Sequence, residues 1–200
     1  NREEISRRIK KKLEIPEDKK VILYAPTWRD DEYYASGKYK FTLPLDLAKM
    51  SMELGEEYVL LLRTHYYIAD SIDTSGYEGF AYNVSAYDDI TELYLISDIL
   101  VTDYSSVFFD YANLKRPMIF FTYDLEKYRD MIRGFYIDME KELPGPLVYD
   151  TRGVIDAVRN SEVWMEERSE QYEEFYERFC AWEDGNASER VVKILLVKKR

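Results

Sequence analysis

Residues 98–121 read D-I-L-V-T-D-Y-S-S-V-F-F-D-Y-A-N-L-K-R-P-M-I-F-F, and they carry the most informative pattern of the sequence. An apolar run ends at Thr102 and Asp103, a segment of helical character follows, and a second apolar run begins after Pro117. Apolar runs without alternation are typical of strands that are covered on both faces. The succession of strand, helix and strand therefore predicts parallel strands joined by a right-handed crossover.

The same alternation extends to both sides of this stretch. Further strands are predicted at 21–28, 58–65 and 80–85, and helices at about 2–13, 44–55, 88–96, 151–160, 162–182 and 187–198. Residues 30–41 are predicted to form a loop. We find no internal repeat, low-complexity tract or linker. The sequence predicts a single α/β domain with a Rossmann-like parallel sheet, flanking helices and a helical C-terminus.

Composition excludes several classes of protein. The 200 residues are 46% hydrophobic and 34% charged, which is typical of a globular chain. No apolar run approaches the roughly 20 residues of a membrane span, and no signal peptide is recognisable. The net charge of −11 argues against nucleic acid as a partner. Cys180 is the only cysteine, which indicates a reducing compartment. The basic segment 2–12 is predicted to be a solvated helix face, with a surface for anionic lipid or polymer as the alternative.

Polar residues follow the ends of several predicted strands. Parallel α/β sheets bind ligands beyond the carboxyl ends of their strands, so these residues are expected to lie close together. Arginines and hydroxyls beside a helix N-terminus are suited to phosphate. The candidates are Thr27 and Arg29 after the first strand, Arg63 and His65 after the second, and Asp103, Ser105 and Ser106 after the fourth.

Each of these residues also has a simple structural interpretation. Either serine, and Asp103 as well, could cap the following helix, Arg63 could pair with an exposed carboxylate, and His65 could be a hydrogen-bonded structural residue. Their joint occurrence at several strand ends favours a ligand that contains phosphate.

Several ligand-binding motifs are absent from the sequence. There is no G-x-G-x-x-G, no G-x-x-x-x-G-K-[ST] and no D-x-D. With one histidine and one cysteine, a zinc site is not expected either. We therefore predict no metal and no cofactor, and a diphosphate would be held by arginines, hydroxyls and backbone amides.

Six stretches together resemble the CDP-glycerol glycerophosphotransferase family, the bacterial teichoic acid primases and polymerases. They are V-I-L-Y-A-P-T-W-R-D (21–30), L-L-L-R-T-H (60–65), the block 101–121, and the segments 124–138, 143–148 and 175–192. The resemblance implies a GT-B architecture of two Rossmann-like domains, with this chain as the C-terminal, donor-binding one. Residues 1–200 would form that single domain, with an interdomain helix at 1–15 and a C-terminal helix at 183–200. The N-terminal GT-B domain has no counterpart here.

The resemblance also implies a reaction, its partners and a location. Glycerol phosphate would pass from CDP-glycerol to the hydroxyl of a lipid-linked polyol-phosphate acceptor, by a peripheral enzyme at the cytoplasmic face of the bacterial membrane. CDP-ribitol as the donor, a GT-B glycosyltransferase and a noncatalytic nucleotide-binding module stay open as alternatives. Whether this chain is active without the missing half also stays open.

The same resemblance suggests roles for the candidate residues. Arg63 and His65 would act on the diphosphate, with His65 assisting the departure of CMP. Ser105 and Ser106 would hold phosphate oxygens. Thr27 and Arg29 would also contact the donor, and Asp103 would either accept hydrogen bonds from glycerol hydroxyls or orient a neighbour.

Overall fold

A computed structural model describes residues 2–29, 31, 33–35, 38–39, 42–65 and 72–197. The strands are β1 (Lys20–Tyr24), β2 (Tyr33–Ala35), β3 (Lys38–Tyr39), β4 (Tyr58–Leu62), β5 (Ala81–Asn83), β6 (Ile99–Thr102), β7 (Met118–Phe121) and β8 (Leu147–Val148). Six of them form one sheet in the order β5-β4-β1-β6-β7-β8, and every neighbouring pair is parallel. In chain order this is 3-2-1-4-5-6, the Rossmann arrangement, so the predicted fold class is confirmed.

The helices lie between and after the strands. They are α1 (Arg2–Lys12), α2 (Leu47–Leu54), α3 (Ile90–Ile96), α4 (Val107–Ala112), α5 (Leu125–Lys127), α6 (Thr151–Arg159), α7 (Ser161–Glu167), α8 (Ser169–Phe179) and α9 (Ala187–Val197), and a π-helix covers Tyr128–Ile132. Aspartates cap three of them, because Asp46, Asp89 and Asp150 each accept a hydrogen bond from a backbone amide in the first turn.

The sheet is buried on both faces, as the unalternating apolar strands predicted. In β1, Val21 and Leu23 pack into one hydrophobic layer and Ile22 and Tyr24 into the other, and all four side chains are at most 1% exposed. These strands are apolar along their whole length because both faces of the sheet are covered by helices.

Two predictions about local structure are wrong. The described part of 30–41, predicted to be a loop, contains the antiparallel pair of β2 and β3. The single helix predicted at 162–182 is two helices that meet at Arg168. Trp164 on α7 packs into one layer of the core, whereas Tyr172 and Phe175 on α8 pack into the other. The chain changes face between them, which a single straight helix could not do.

The basic helix α1 packs against the domain. Arg8 forms an ion pair with Glu92, and the Lys12 ammonium lies 4.4 Å from the centre of the Tyr87 ring. Lys10 donates to the backbone carbonyls of Glu17 and Lys19. Three of the cations of α1 thus have partners within the domain, which weakens the alternative of a lipid-facing helix.

Helix α9 exposes most of its apolar side chains. Five of them are more than half exposed: Val191, Val192, Ile194, Leu195 and Leu196. Among the described residues, no helix combines the length and apolarity that crossing a bilayer requires.

Candidate functional site

A pocket of about 530 Å³ opens at the carboxyl edge of the sheet. It lies where the strand order reverses, between β1 and β6, which is the position at which open α/β sheets bind ligands. Its walls come from the segments after β1, β4 and β6, from the start of α3 and α4, and from the π-helix region. Five predicted residues line it: Thr27, Arg63, His65, Ser105 and Ser106.

Beneath the pocket lies a buried ionic group, the Arg29 cluster, formed by Arg29, Asp103 and Asp124. The Arg29 guanidinium donates to both oxygens of Asp124, from Nε at 2.8 Å and from Nη2 at 2.9 Å. Its Nη1 donates to Asp103 Oδ2 at 2.9 Å and to the carbonyl of Thr27 at 2.6 Å. The side chains of Arg29 and Asp103 are 2% and 1% exposed. The cluster ties together the segments that follow β1, β6 and β7.

Asp103 also organises the backbone at the pocket floor. Its Oδ1 accepts hydrogen bonds from the amides of Thr27 at 2.8 Å and Tyr104 at 2.6 Å. Burial raises the pKa of Asp103, while the Arg29 guanidinium and the Thr27 amide act in the opposite direction. Both oxygens therefore have protein donors, and the side chain fixes the backbone on either side of the β1–β6 junction.

Aromatic rings enclose the guanidinium of Arg29. The rings of Tyr104, Tyr123 and Tyr128 have their centres 5.1–5.3 Å from it, within cation–π range. Tyr104 stacks on Tyr128 with ring centres 4.0 Å apart, and its hydroxyl donates to Asp124 at 3.0 Å. Tyr104 and Tyr128 also line the pocket, so the Arg29 guanidinium lies behind one of its walls.

Two of the predicted residues, Arg29 and Asp103, lie outside the pocket lining. Arg29 was expected to contact the donor, but its guanidinium is bound within the cluster and is not part of the pocket lining. The same holds for Asp103, so a direct contact with glycerol hydroxyls does not fit its 1% exposure. The other predicted role of Asp103, to orient a neighbour, agrees with its bonds to Arg29 and Thr27.

The two serines stand at the start of α4. Ser106 occupies the N-cap position with φ of −60° and ψ of −7°, and its side chain makes no capping hydrogen bond. The carbonyl of Ser105 accepts from the amide of Phe108 at 3.4 Å. Capping, the simple alternative for this pair, is therefore not the role of Ser106, and both serines border the pocket.

Arg63 is held from one side by the turn that follows β5. Its Nη1 lies within hydrogen-bond distance of the carbonyls of Val84, Ser85 and Tyr87, at 2.6–3.0 Å. The simple alternative, a pair with an exposed carboxylate, is not what the structure shows among the described residues. This anchoring sets the guanidinium at the pocket wall.

His65 lies beside Trp28, with ring centres 5.6 Å apart, and both rings line the pocket. Partial burial lowers the pKa of His65. The lowered pKa favours the neutral imidazole, which can take up a proton when negative charge is brought next to it.

Sequence reasoning missed one charged residue of the pocket, Arg133. It follows the π-helix, and the only signal for it was its presence in the stretch 124–138 that carried the family resemblance. Among the described residues of the lining there are two arginines and no Asp or Glu, although the chain carries a net charge of −11. The pocket is thus chemically suited to an anion.

The described residues hold no group of three His, Cys, Asp or Glu side chains that could bind a metal ion.

Comparison with known proteins finds a matching family and several similar proteins. Residues 1–197 match the family described as CDP-Glycerol:Poly(glycerophosphate) glycerophosphotransferase. A teichoic acid poly(glycerol phosphate) polymerase of Bacillus subtilis (strain 168) is 56% identical over 192 residues, which are 96% of this chain and 26% of the relative. A teichoic acid poly(ribitol-phosphate) polymerase of Bacillus spizizenii (strain ATCC 23059 / NRRL B-14472 / W23) is 40% identical over 176 residues, 88% of this chain and 27% of the relative.

The fold is also similar to a solved structure of the wall teichoic acid polymerase TagF. The TM-score is 0.87 with 47% sequence identity, over 99% of this chain and 48% of that chain. A variant of that polymerase, solved after a soak with CDPG, has a TM-score of 0.86 at 46% identity and the same coverage. This chain thus spans between about a quarter and a half of the length of the proteins it matches.

Proposed function

The chain belongs to the CDP-glycerol:poly(glycerophosphate) glycerophosphotransferase family, and from this premise we propose that it is the CDP-glycerol-binding part of an enzyme of teichoic acid synthesis. The whole enzyme transfers glycerol phosphate from CDP-glycerol to the hydroxyl end of a lipid-linked poly(glycerol phosphate) chain. The observation that carries the proposal is the pocket at the β1–β6 junction, whose described lining contains two arginines and no carboxylate. The lipid anchor of the acceptor would hold the enzyme at the cytoplasmic face of the membrane as a peripheral protein.

The proposed reaction is a displacement at phosphorus. The terminal hydroxyl oxygen of the acceptor forms a bond to the phosphorus that bears glycerol, and the bond from that phosphorus to the bridging oxygen of the diphosphate breaks. CMP leaves with the bridging oxygen and its electron pair. The proton of the attacking hydroxyl goes to a base supplied by the part of the enzyme outside this chain. Charge on the diphosphate must be neutralised in the transition state, which is the contribution of the pocket.

Arg63 and His65 are the residues we assign to the diphosphate. Arg63 is fixed by its bonds to the turn after β5, so its guanidinium is set in position before the donor binds. The neutral imidazole of His65 gains a proton as the diphosphate approaches, and then stabilises the negative charge on departing CMP. Loss of a donor of this kind typically lowers the rate by about 10²–10³.

Ser105, Ser106 and Thr27 complete the proposed donor site. The serines would donate hydroxyl hydrogen bonds to phosphate oxygens from the start of α4. Thr27 would contact the donor from the segment after β1, where the bond from its amide to Asp103 holds it. Arg29 and Asp103 act through these neighbours rather than on the donor.

CDP-ribitol remains a possible donor in place of CDP-glycerol. The sequence is 56% identical to a glycerol phosphate polymerase and 40% identical to a ribitol phosphate polymerase, so similarity favours glycerol.

Calorimetric titration of the folded chain with CDP-glycerol, CDP-ribitol and UDP-glucose tests the proposal. We expect CDP-glycerol to bind more tightly than CDP-ribitol, and UDP-glucose to bind weakly. The double variant Ser105→Ala/Ser106→Ala should bind CDP-glycerol at least tenfold more weakly, whereas Ser188→Ala, an exposed serine on α9, should bind as the wild type does. A folded chain that binds neither CDP-polyol would contradict the proposed function.

A further inference from the structure

The segment from Tyr128 to Phe135 begins and ends with aromatic residues whose rings contact each other. The rings of Tyr128 and Phe135 are stacked, with centres 5.7 Å apart and planes 11° apart, and both lie against Tyr104. Tyr128 is 5% exposed. The two ends of the segment are therefore fixed to the pocket wall, and the residues between them must project from it.

The π-helix at Tyr128–Ile132 leads directly into the residue that reaches the pocket. The amides of Arg133 and Gly134 both bond to the carbonyl of Tyr128, at 3.0 and 3.3 Å. Gly134 then adopts a φ of +72°, a left-handed conformation that favours glycine. A single turn of π-helix inserts an extra residue into a helix, and such turns are frequent at functional sites. The insertion brings Arg133 into the pocket lining, while Arg129 stays outside it.

The two arginines of the pocket come from opposite sides of the strand reversal. Arg63 follows β4, which neighbours β1, whereas Arg133 follows β7, which neighbours β6. Ser105 and Ser106 follow β6 and lie between them in the order of the sheet. A diphosphate at the serines would thus have a guanidinium on each side.

We propose that Arg133 is a second phosphate-binding residue of the donor site, contacting the diphosphate from the side opposite Arg63. The inference rests on the proposed function and extends it. A planar guanidinium can give two hydrogen bonds to one phosphate, and a donor with two phosphate charges is matched by two cations. Arg63 is anchored to backbone carbonyls, and Arg133 is an exposed residue of the pocket lining, so both guanidinium groups can reach a donor there.

The test compares Arg133→Gln with the matched control Arg129→Gln. Arg129 is an exposed arginine in the same segment, paired with Asp130. The dissociation constant of CDP-glycerol is measured by calorimetry at several salt concentrations. Arg133→Gln should weaken binding by about tenfold to a hundredfold and reduce its salt dependence, since one cation is lost. The control should bind as the wild type does, and the thermal midpoint without ligand should be the same in both variants.

Arg133→Lys separates a phosphate contact from a structural effect. Lysine keeps the charge but not the two-point geometry, so it should restore the salt dependence and only part of the affinity. The proposal is overturned if Arg133→Gln binds CDP-glycerol within twofold of the wild type, or if Arg133→Lys restores nothing. Wild-type protein that does not bind CDP-glycerol would instead refute the proposed function itself.

Discussion

Arg29→Met removes the guanidinium that joins the segments after β1, β6 and β7. The methionine fills much of the same volume, but Asp103 and Asp124 lose three charge-assisted hydrogen bonds of 2.8–2.9 Å and the cation that they share. Removing one partner from a buried ion pair typically costs about 3–5 kcal/mol. A domain of ordinary stability, about 5–15 kcal/mol, would lose a large part of it.

The pH dependence of this loss has a definite sign. Burial raises the pKa of Asp103, and without the opposing guanidinium that pKa should rise further. The folded variant then holds the carboxyl proton more tightly than the unfolded chain does. Its stability therefore falls as pH rises from about 4 through the folded-state pKa, and the deficit relative to the wild type is greatest near neutral pH.

Urea denaturation of both proteins at about pH 4.5 and about pH 7 measures the effect through the free energy of unfolding. Arg129→Met removes an exposed arginine paired with Asp130 and serves as the control, with a nearly unchanged free energy of unfolding. A loss below about 1 kcal/mol for Arg29→Met at neutral pH, or a deficit that grows toward acid pH, would refute the reasoning.

Three further predictions concern a close approach, a helix cap and a titrating group. Gly145→Ala should destabilise the fold by about 1–3 kcal/mol or more in urea denaturation, because the added Cβ would lie 1.8 Å from the carbonyl oxygen of Met118; no loss would contradict that packing. Asp150→Ala should cost about 1 kcal/mol in the same assay, since its carboxylate accepts from the Gly153 amide at 2.7 Å. Burial lowers the pKa of His65, and binding of CDP-glycerol should raise it. The affinity for CDP-glycerol should therefore increase as the pH falls between the pKa of bound and of free protein. An NMR titration that shows the same pKa with and without CDP-glycerol would count against His65 as a diphosphate ligand.

The fold and most of the pocket could be predicted because both follow from the backbone topology. Unalternating apolar runs identified four of the strands, and parallel strands bring the residues after each strand to one edge. β8 was not predicted because a strand of two residues is too short to show a hydrophobic pattern. The change of face between α7 and α8 depends on which layer Trp164 and Tyr172 enter, and that is decided by tertiary packing.

The roles of the strand-end residues were harder to predict. Sequence shows that Arg29 and Asp103 lie at the same edge, but not that they pair with each other across 74 residues instead of facing a ligand. Arg133 was missed for a different reason. The π-helix adds one residue to a helical turn and so changes which side the following residues face. No pattern in Y-R-D-M-I reveals this.

The order of the strands also constrains how the chain folds. β1 is one of the two central strands and is complete at Tyr24, but its two neighbours end only at Leu62 and Thr102. Loops of that length must close before the parallel pairs form, which is typical of slow folding. During synthesis, both edges of the apolar strand β1 can therefore be paired only after the chain has been made as far as Thr102. Until then β1 is an exposed apolar segment that chaperones can bind.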